Sequence, residues 1–128
     1  MFIYAWAGMH ADKPLALIIE DDAVSAEALA LILSDWGAEV AHSVDGALGA
    51  LGDRLSQLRW IITDFHLGRG PDGVTLVQRL AQSAPQARIL VLSGSFHGRA
   101  TASAAAAGFE VMQKPARAEA IIAWLERA

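Results

Sequence analysis

Apolar residues in this chain fall into short unbroken runs, separated by longer stretches with helical spacing. Leu15–Ile19, Trp60–Thr63 and Ile89–Leu92 are continuous runs, the pattern of strands buried on both faces. Glu39–His42 and Glu110–Gln113 read as two further short strands. After the first run, Leu29, Ile32, Leu33 and Trp36 repeat at helical intervals and mark a core stripe. Asp22 or a neighbour can cap the start of that helix, and Gly37 stands where a left-handed C-terminal cap belongs. Val44–Leu55 predicts a weaker helix, diluted by Gly46, Gly49 and Gly52. Leu76, Val77 and Leu80 stripe a third helix, and Arg99–Ala107 is helical on alanine propensity. Ala118, Ile121, Ile122 and Leu125 stripe the last helix. Trp124 falls beside that stripe, as edge packing or as part of a contact surface with the Ala-rich helix. The segment Gly68-Arg69-Gly70-Pro71-Asp72-Gly73 reads as a mobile loop, and Gly94 opens another.

Five strands alternating with five helices predict a doubly wound α/β fold. Its sheet is parallel, with right-handed crossovers and helices on both faces. The 128 residues form one domain, expected over 14–128, able to bury roughly 70% of its unfolded surface. A composition of 54% hydrophobic and 19% charged residues excludes disorder over most of the length. Residues 1–13 are expected to be a flexible leader. Its apolar Phe2, Tyr4 and Trp6 offer the alternative of an arm packing on the domain or on a second subunit. That leader lacks the cationic start of a signal peptide and the length of a membrane span. A net charge of −4 supplies no basic field, so no nucleic-acid partner is expected. Without cysteine there is no disulfide, zinc-thiolate or thiol chemistry, which fits a cytoplasmic protein.

The polar residues that end the strands carry the chemistry. Glu20-Asp21-Asp22 follows the first run, Asp64 the third, Ser93 the fourth and Lys114-Pro115 the fifth. In an open parallel sheet these side chains share one edge, where such folds bind ligands. Glu20, Asp21 and Asp64 present hard oxygen ligands that suit Mg²⁺. Helix capping explains Asp22, but Asp64 ends a different strand and precedes a glycine loop. Crowded carboxylates repel one another without a cation. Lys114 can neutralise a carboxylate or phosphate oxygen, and Ser93 can donate a hydroxyl. Pro115 raises the chance of a cis bond that fixes the direction of the lysine.

With these motifs in register, the chain resembles the receiver domain of two-component response regulators from Leu15 onward. The resemblance implies a flavodoxin-like receiver fold with sheet order 2-1-3-4-5. It implies that Asp64 accepts a phosphoryl group from the phosphohistidine of a histidine kinase or histidine phosphotransfer protein. Asp21, Asp64 and the backbone carbonyl of His66 would hold Mg²⁺, with Glu20 acting directly or through water. Lys114 and Ser93 would bind the phosphoryl oxygens. Such a domain is not a conventional enzyme but catalyses its own phosphorylation and dephosphorylation. It signals by protein contacts, through a homodimer or an effector on the face from strand four to helix five.

Two positions depart from the family pattern. Gly68 stands where many receivers carry proline, and Val111 where an aromatic switch residue is common. The Ala-rich helix and the short Gly108–Lys114 segment look more like receivers attached to hybrid sensor kinases. His66 is either an exposed loop residue or an influence on dephosphorylation. Two other readings compete: a binding pseudo-receiver that is never phosphorylated, and a metal-dependent phosphatase with an aspartyl nucleophile. The haloacid-dehalogenase-like form of the latter needs an aspartate where His66 stands.

Overall fold

A computed structural model describes residues 13–43, 51–67, 72–94 and 98–127. The strands are β1 (Leu15–Ile19), β2 (Glu39–Ser43), β3 (Leu58–Asp64), β4 (Arg88–Ser93) and β5 (Glu110–Gln113). The α-helices are α1 (Ala23–Trp36), α2 (Gly73–Ala81), α3 (Arg99–Ala107) and α4 (Ala118–Glu126). A 3-10 helix over Gly52–Gln57 precedes β3 and makes the fifth helical segment. The sheet order is β2-β1-β3-β4-β5 and every pairing is parallel. The doubly wound sheet is therefore the one expected.

Period-two alternation explains why the central strands β1, β3 and β4 are largely apolar on both faces. Leu17, Ile19, Ile61 and Val91 point to one face, where Val74, Val77, Ala100 and Ala104 of α2 and α3 cover them. Ala16, Ile18, Ile62 and Leu90 point to the other, under Leu29, Leu33, Ile121 and Leu125 of α1 and α4. The central strands β1, β3 and β4 thus feed two cores, whereas the edge strands β2 and β5 carry exposed polar residues.

The helix ends follow the sequence. Asp22 accepts a hydrogen bond from the Ser25 amide at 2.9 Å and caps α1, and the Ser25 hydroxyl, with that amide, holds its carboxyl below the usual range. Gly37, at φ 119°, takes the left-handed turn that ends the helix and donates to the carbonyls of Leu33 and Ser34. Asp72 caps α2 by accepting from the Thr75 amide at 2.8 Å. Replacing Asp72 with alanine should cost about 1 kcal/mol in denaturant unfolding. An unchanged midpoint would show that this cap contributes nothing.

Several boundaries and packings differ from expectation. Of the weak second helix expected over Val44–Leu55, the described residues 51–55 form a turn and the start of a 3-10 helix, with Gly52 at φ 49°, outside α-helical geometry. Strand three starts at Leu58, earlier than its apolar run, because Arg59 is a solvent-exposed residue inside a paired strand. Asp72 and Gly73 belong to the start of α2 instead of a mobile loop, and Gly73 is buried. Trp124 is neither an edge residue nor a contact for the Ala-rich helix. It is fully buried on the α1–α4 side of the sheet, whereas α3 lies on the opposite face. Ala118 is exposed, so the core stripe of α4 is Ile121, Trp124 and Leu125. The leader, apart from Lys13, lies outside the described residues, as do residues 44–50 and Gly68.

Candidate functional site: a carboxylate and lysine cluster

Each strand delivers its terminal residue to the carboxyl edge of the sheet. β1 hands over to Glu20, whose amide donates to the Ser43 carbonyl of β2 at 3.0 Å. Its side chain turns inward and is only 2% exposed. Asp21 follows in a bend and is exposed. β3 ends at Asp64, whose side chain is 12% exposed. One ligand oxygen from each of Glu20, Asp21 and Asp64 lies within 4.8 Å of the others. The Lys114 amide donates to the Ser93 carbonyl at 2.8 Å, and the peptide bond from Lys114 to Pro115 is cis, as the sequence led one to expect. The Lys114 ammonium stands 3.1 Å from Glu20 Oε1 and 3.1 Å from Asp64 Oδ2. Ser93 is buried at the end of β4, beside β5.

The electrostatics follow from this geometry. Burial pushes the Glu20 carboxyl up. The Lys114 ammonium pulls it back, and the negative charge of Asp64 raises it further. Burial alone would lower the Lys114 ammonium, but its hydrogen bonds to Glu20 and Asp64 outweigh that and raise it. Two of the three carboxylates, Glu20 and Asp64, therefore share a single ammonium, and Asp21 adds a third negative charge beside them. The donor set is all oxygen and in excess of negative charge, which fits a hard divalent cation and not a soft metal.

His66, two residues beyond Asp64, is exposed, and its ring meets Phe65 edge-on at 5.0 Å. Val111 is half-buried at the margin of the α2–α3 core. Two neighbours of Asp64 escape a reading of the sequence. The buried Thr63 hydroxyl donates to the Asp64 carbonyl at 3.0 Å. The α-carbon of Gly73 sits so close that a Cβ there would lie 2.1 Å from that same oxygen. A β-branched hydroxyl before a strand-ending aspartate is the only hint the sequence offers. A cavity of about 190 Å³ adjoins the cluster, lined by Glu20, Leu29, Ile32, Leu92, Lys114 and Pro115. A wider groove of about 680 Å³, lined by Lys13, Leu31 and Val40, lies at the opposite end of α1, away from the carboxylates.

Fold and site together define a flavodoxin-like domain whose ligand edge carries a carboxylate and lysine cluster. The family model of the response regulator receiver domain matches residues 16–126. The chain belongs to that family, the receivers of two-component signalling. A response regulator from Burkholderia pseudomallei, with a phosphorylated aspartic acid, calcium ion and citrate, is 33% identical. The match covers 90% of this chain and 67% of that one, with a TM-score of 0.74. A putative response regulator from Chloroflexus aurantiacus is 26% identical over 90% of this chain and 96% of its own, at TM-score 0.76. The chemotaxis protein CheY4 of Vibrio cholerae shares the fold at 22% identity and TM-score 0.76, over 90% of this chain and 98% of its own. No curated protein matches the sequence. No helix among the described residues is long and apolar enough to cross a membrane.

Proposed function

We propose that this receiver takes a phosphoryl group from a phosphohistidine onto Asp64 and passes the signal on by protein contacts. The observation that carries the reading is the Lys114 ammonium, held at 3.1 Å from both Asp64 and the buried Glu20, at the edge where Asp21 completes the cluster. The phosphorylated aspartic acid and calcium ion of the Burkholderia relative support it.

Glu20, Asp21, Asp64 and the His66 backbone carbonyl would hold Mg²⁺. When bound, the ion offsets charge between the nucleophile and the phosphoryl oxygens. An Asp64 carboxylate oxygen attacks phosphorus, an O–P bond forms, and the N–P bond of the donor breaks. The electron pair of that bond leaves with the imidazole. Lys114 meets a phosphoryl oxygen as a point charge, and the Ser93 hydroxyl donates to another. Hydrolysis of the acyl phosphate returns Asp64. The donor is a histidine kinase or histidine phosphotransfer protein. The output surface is the face from β4 to α4, used for a homodimer or an effector.

The test is intact-mass measurement after incubation with Mg²⁺ and acetyl phosphate. The wild-type chain should gain one phosphoryl group, and Asp64→Asn should gain none. A wild-type chain that takes up neither phosphoryl nor beryllofluoride would instead be a pseudo-receiver.

A further inference from the structure

The backbone of Glu20 is tied on both sides by the edge strand β2. Its amide donates to the Ser43 carbonyl at 3.0 Å, and its carbonyl lies 2.8 Å from His42 Nε2. A carbonyl oxygen only accepts, so Nε2 carries the proton and donates. His42 itself is exposed, and this bond joins it to a residue 22 positions earlier. The tied carbonyl belongs to the peptide that links Glu20 to Asp21. Asp21 is exposed, sits in a bend outside α1, and makes no side-chain hydrogen bond among the described residues. No hydrogen bond among the described residues therefore aims its carboxylate, and the peptide before it is the nearest fixed group.

We propose that His42 is a positioning residue for the cation site, its imidazole fixing the Glu20–Asp21 peptide so that the Asp21 carboxylate converges with those of Glu20 and Asp64, Glu20 being held already by Lys114 and the Asp22 amide. The inference rests on the metal-binding reading above. Groups that orient ligands without touching the ion set its affinity, because a site left free to rotate must be ordered at the moment of binding.

Two substitutions isolate the role. His42→Phe keeps a ring of similar shape and removes the donor. His42→Gln returns an N–H at a similar reach. Calorimetric titration of the full chain with MgCl₂ should show affinity weakened about three- to ten-fold in His42→Phe, the size of one lost hydrogen bond. His42→Gln should restore affinity to within about twofold of wild type. Unfolding of the metal-free proteins is measured in parallel. A merely structural histidine would lower the metal-free midpoint of His42→Phe and leave its Mg²⁺ affinity unchanged, and that result overturns the inference. A wild-type chain that binds no Mg²⁺ overturns the metal reading itself, and the inference with it.

Discussion

Gly73→Ala should cost about 3 kcal/mol of stability and slow phosphorylation of Asp64 by on the order of a hundredfold. The methyl group would meet the Asp64 carbonyl oxygen at 2.1 Å, the Asp64 carbonyl carbon at 3.0 Å and Thr63 Oγ1 at 2.8 Å. Two of those three atoms are backbone, so no side chain can swing aside to make room. Gly73 is further fixed by its amide, which donates to the Phe65 carbonyl at 2.8 Å, and by its place at the start of α2. Either α2 lifts away from the sheet or the end of β3 shifts. The first loosens the packing of Val74 and Val77, both buried, and the second moves Asp64, the proposed phosphoryl acceptor. Denaturant unfolding reads the first effect and the rate of adduct formation from acetyl phosphate the second. A Gly73→Ala protein with wild-type stability and wild-type rate would mean that the close approach has no consequence.

Trp124→Ala should destabilise the fold by about 3–5 kcal/mol, a large share of what a domain of this size has. The indole is fully buried, its N–H donates to the Glu110 carboxylate, and the Arg88 guanidinium lies 4.8 Å from its ring centre. Arg88 also donates to the Trp124 carbonyl at 2.6 Å and to the Arg127 carbonyl at 2.7 Å. Truncation opens a cavity between α4 and the sheet and leaves Glu110 without its neutral donor. Trp124→Phe should keep most of the stability, since it retains the apolar bulk and loses chiefly the hydrogen bond. Chemical unfolding of the two variants decides it. Equal and small losses for both would show that the ring's volume is not what holds α4.

The strands and the ligand edge were legible because both depend on local pattern. A strand buried on two faces must be largely apolar, so the central runs end where polar chemistry begins, at Glu20, Asp64 and Ser93, and Lys114 follows the edge strand β5 at the same end of the sheet. Trp124 was not legible, because its burial depends on Arg88 and Glu110, which satisfy the indole from two other strands. Helical spacing alone cannot separate it from Ile122. The inward turn of Glu20 was hidden for the same reason: the ammonium that compensates it comes from Lys114, 94 residues away. Gly52 shows a third kind of gap. A glycine was read as diluting a helix, whereas its positive φ ends any prospect of α-helix there.

β5 is an edge strand with an ion pair at each end. At one end Lys114 meets Glu20 and Asp64, and at the other Glu110 meets Arg88 at 3.2 Å and Arg127 at 3.4 Å. The two fastenings are unequal in exposure, for Glu110 is 43% exposed where Glu20 is 2%. Salt weakens an open pair far more than a sheltered one. The strand is thus held by a sheltered pair at the carboxylate end and by an open one at the other, so ionic strength acts mainly on the end farthest from the carboxylates.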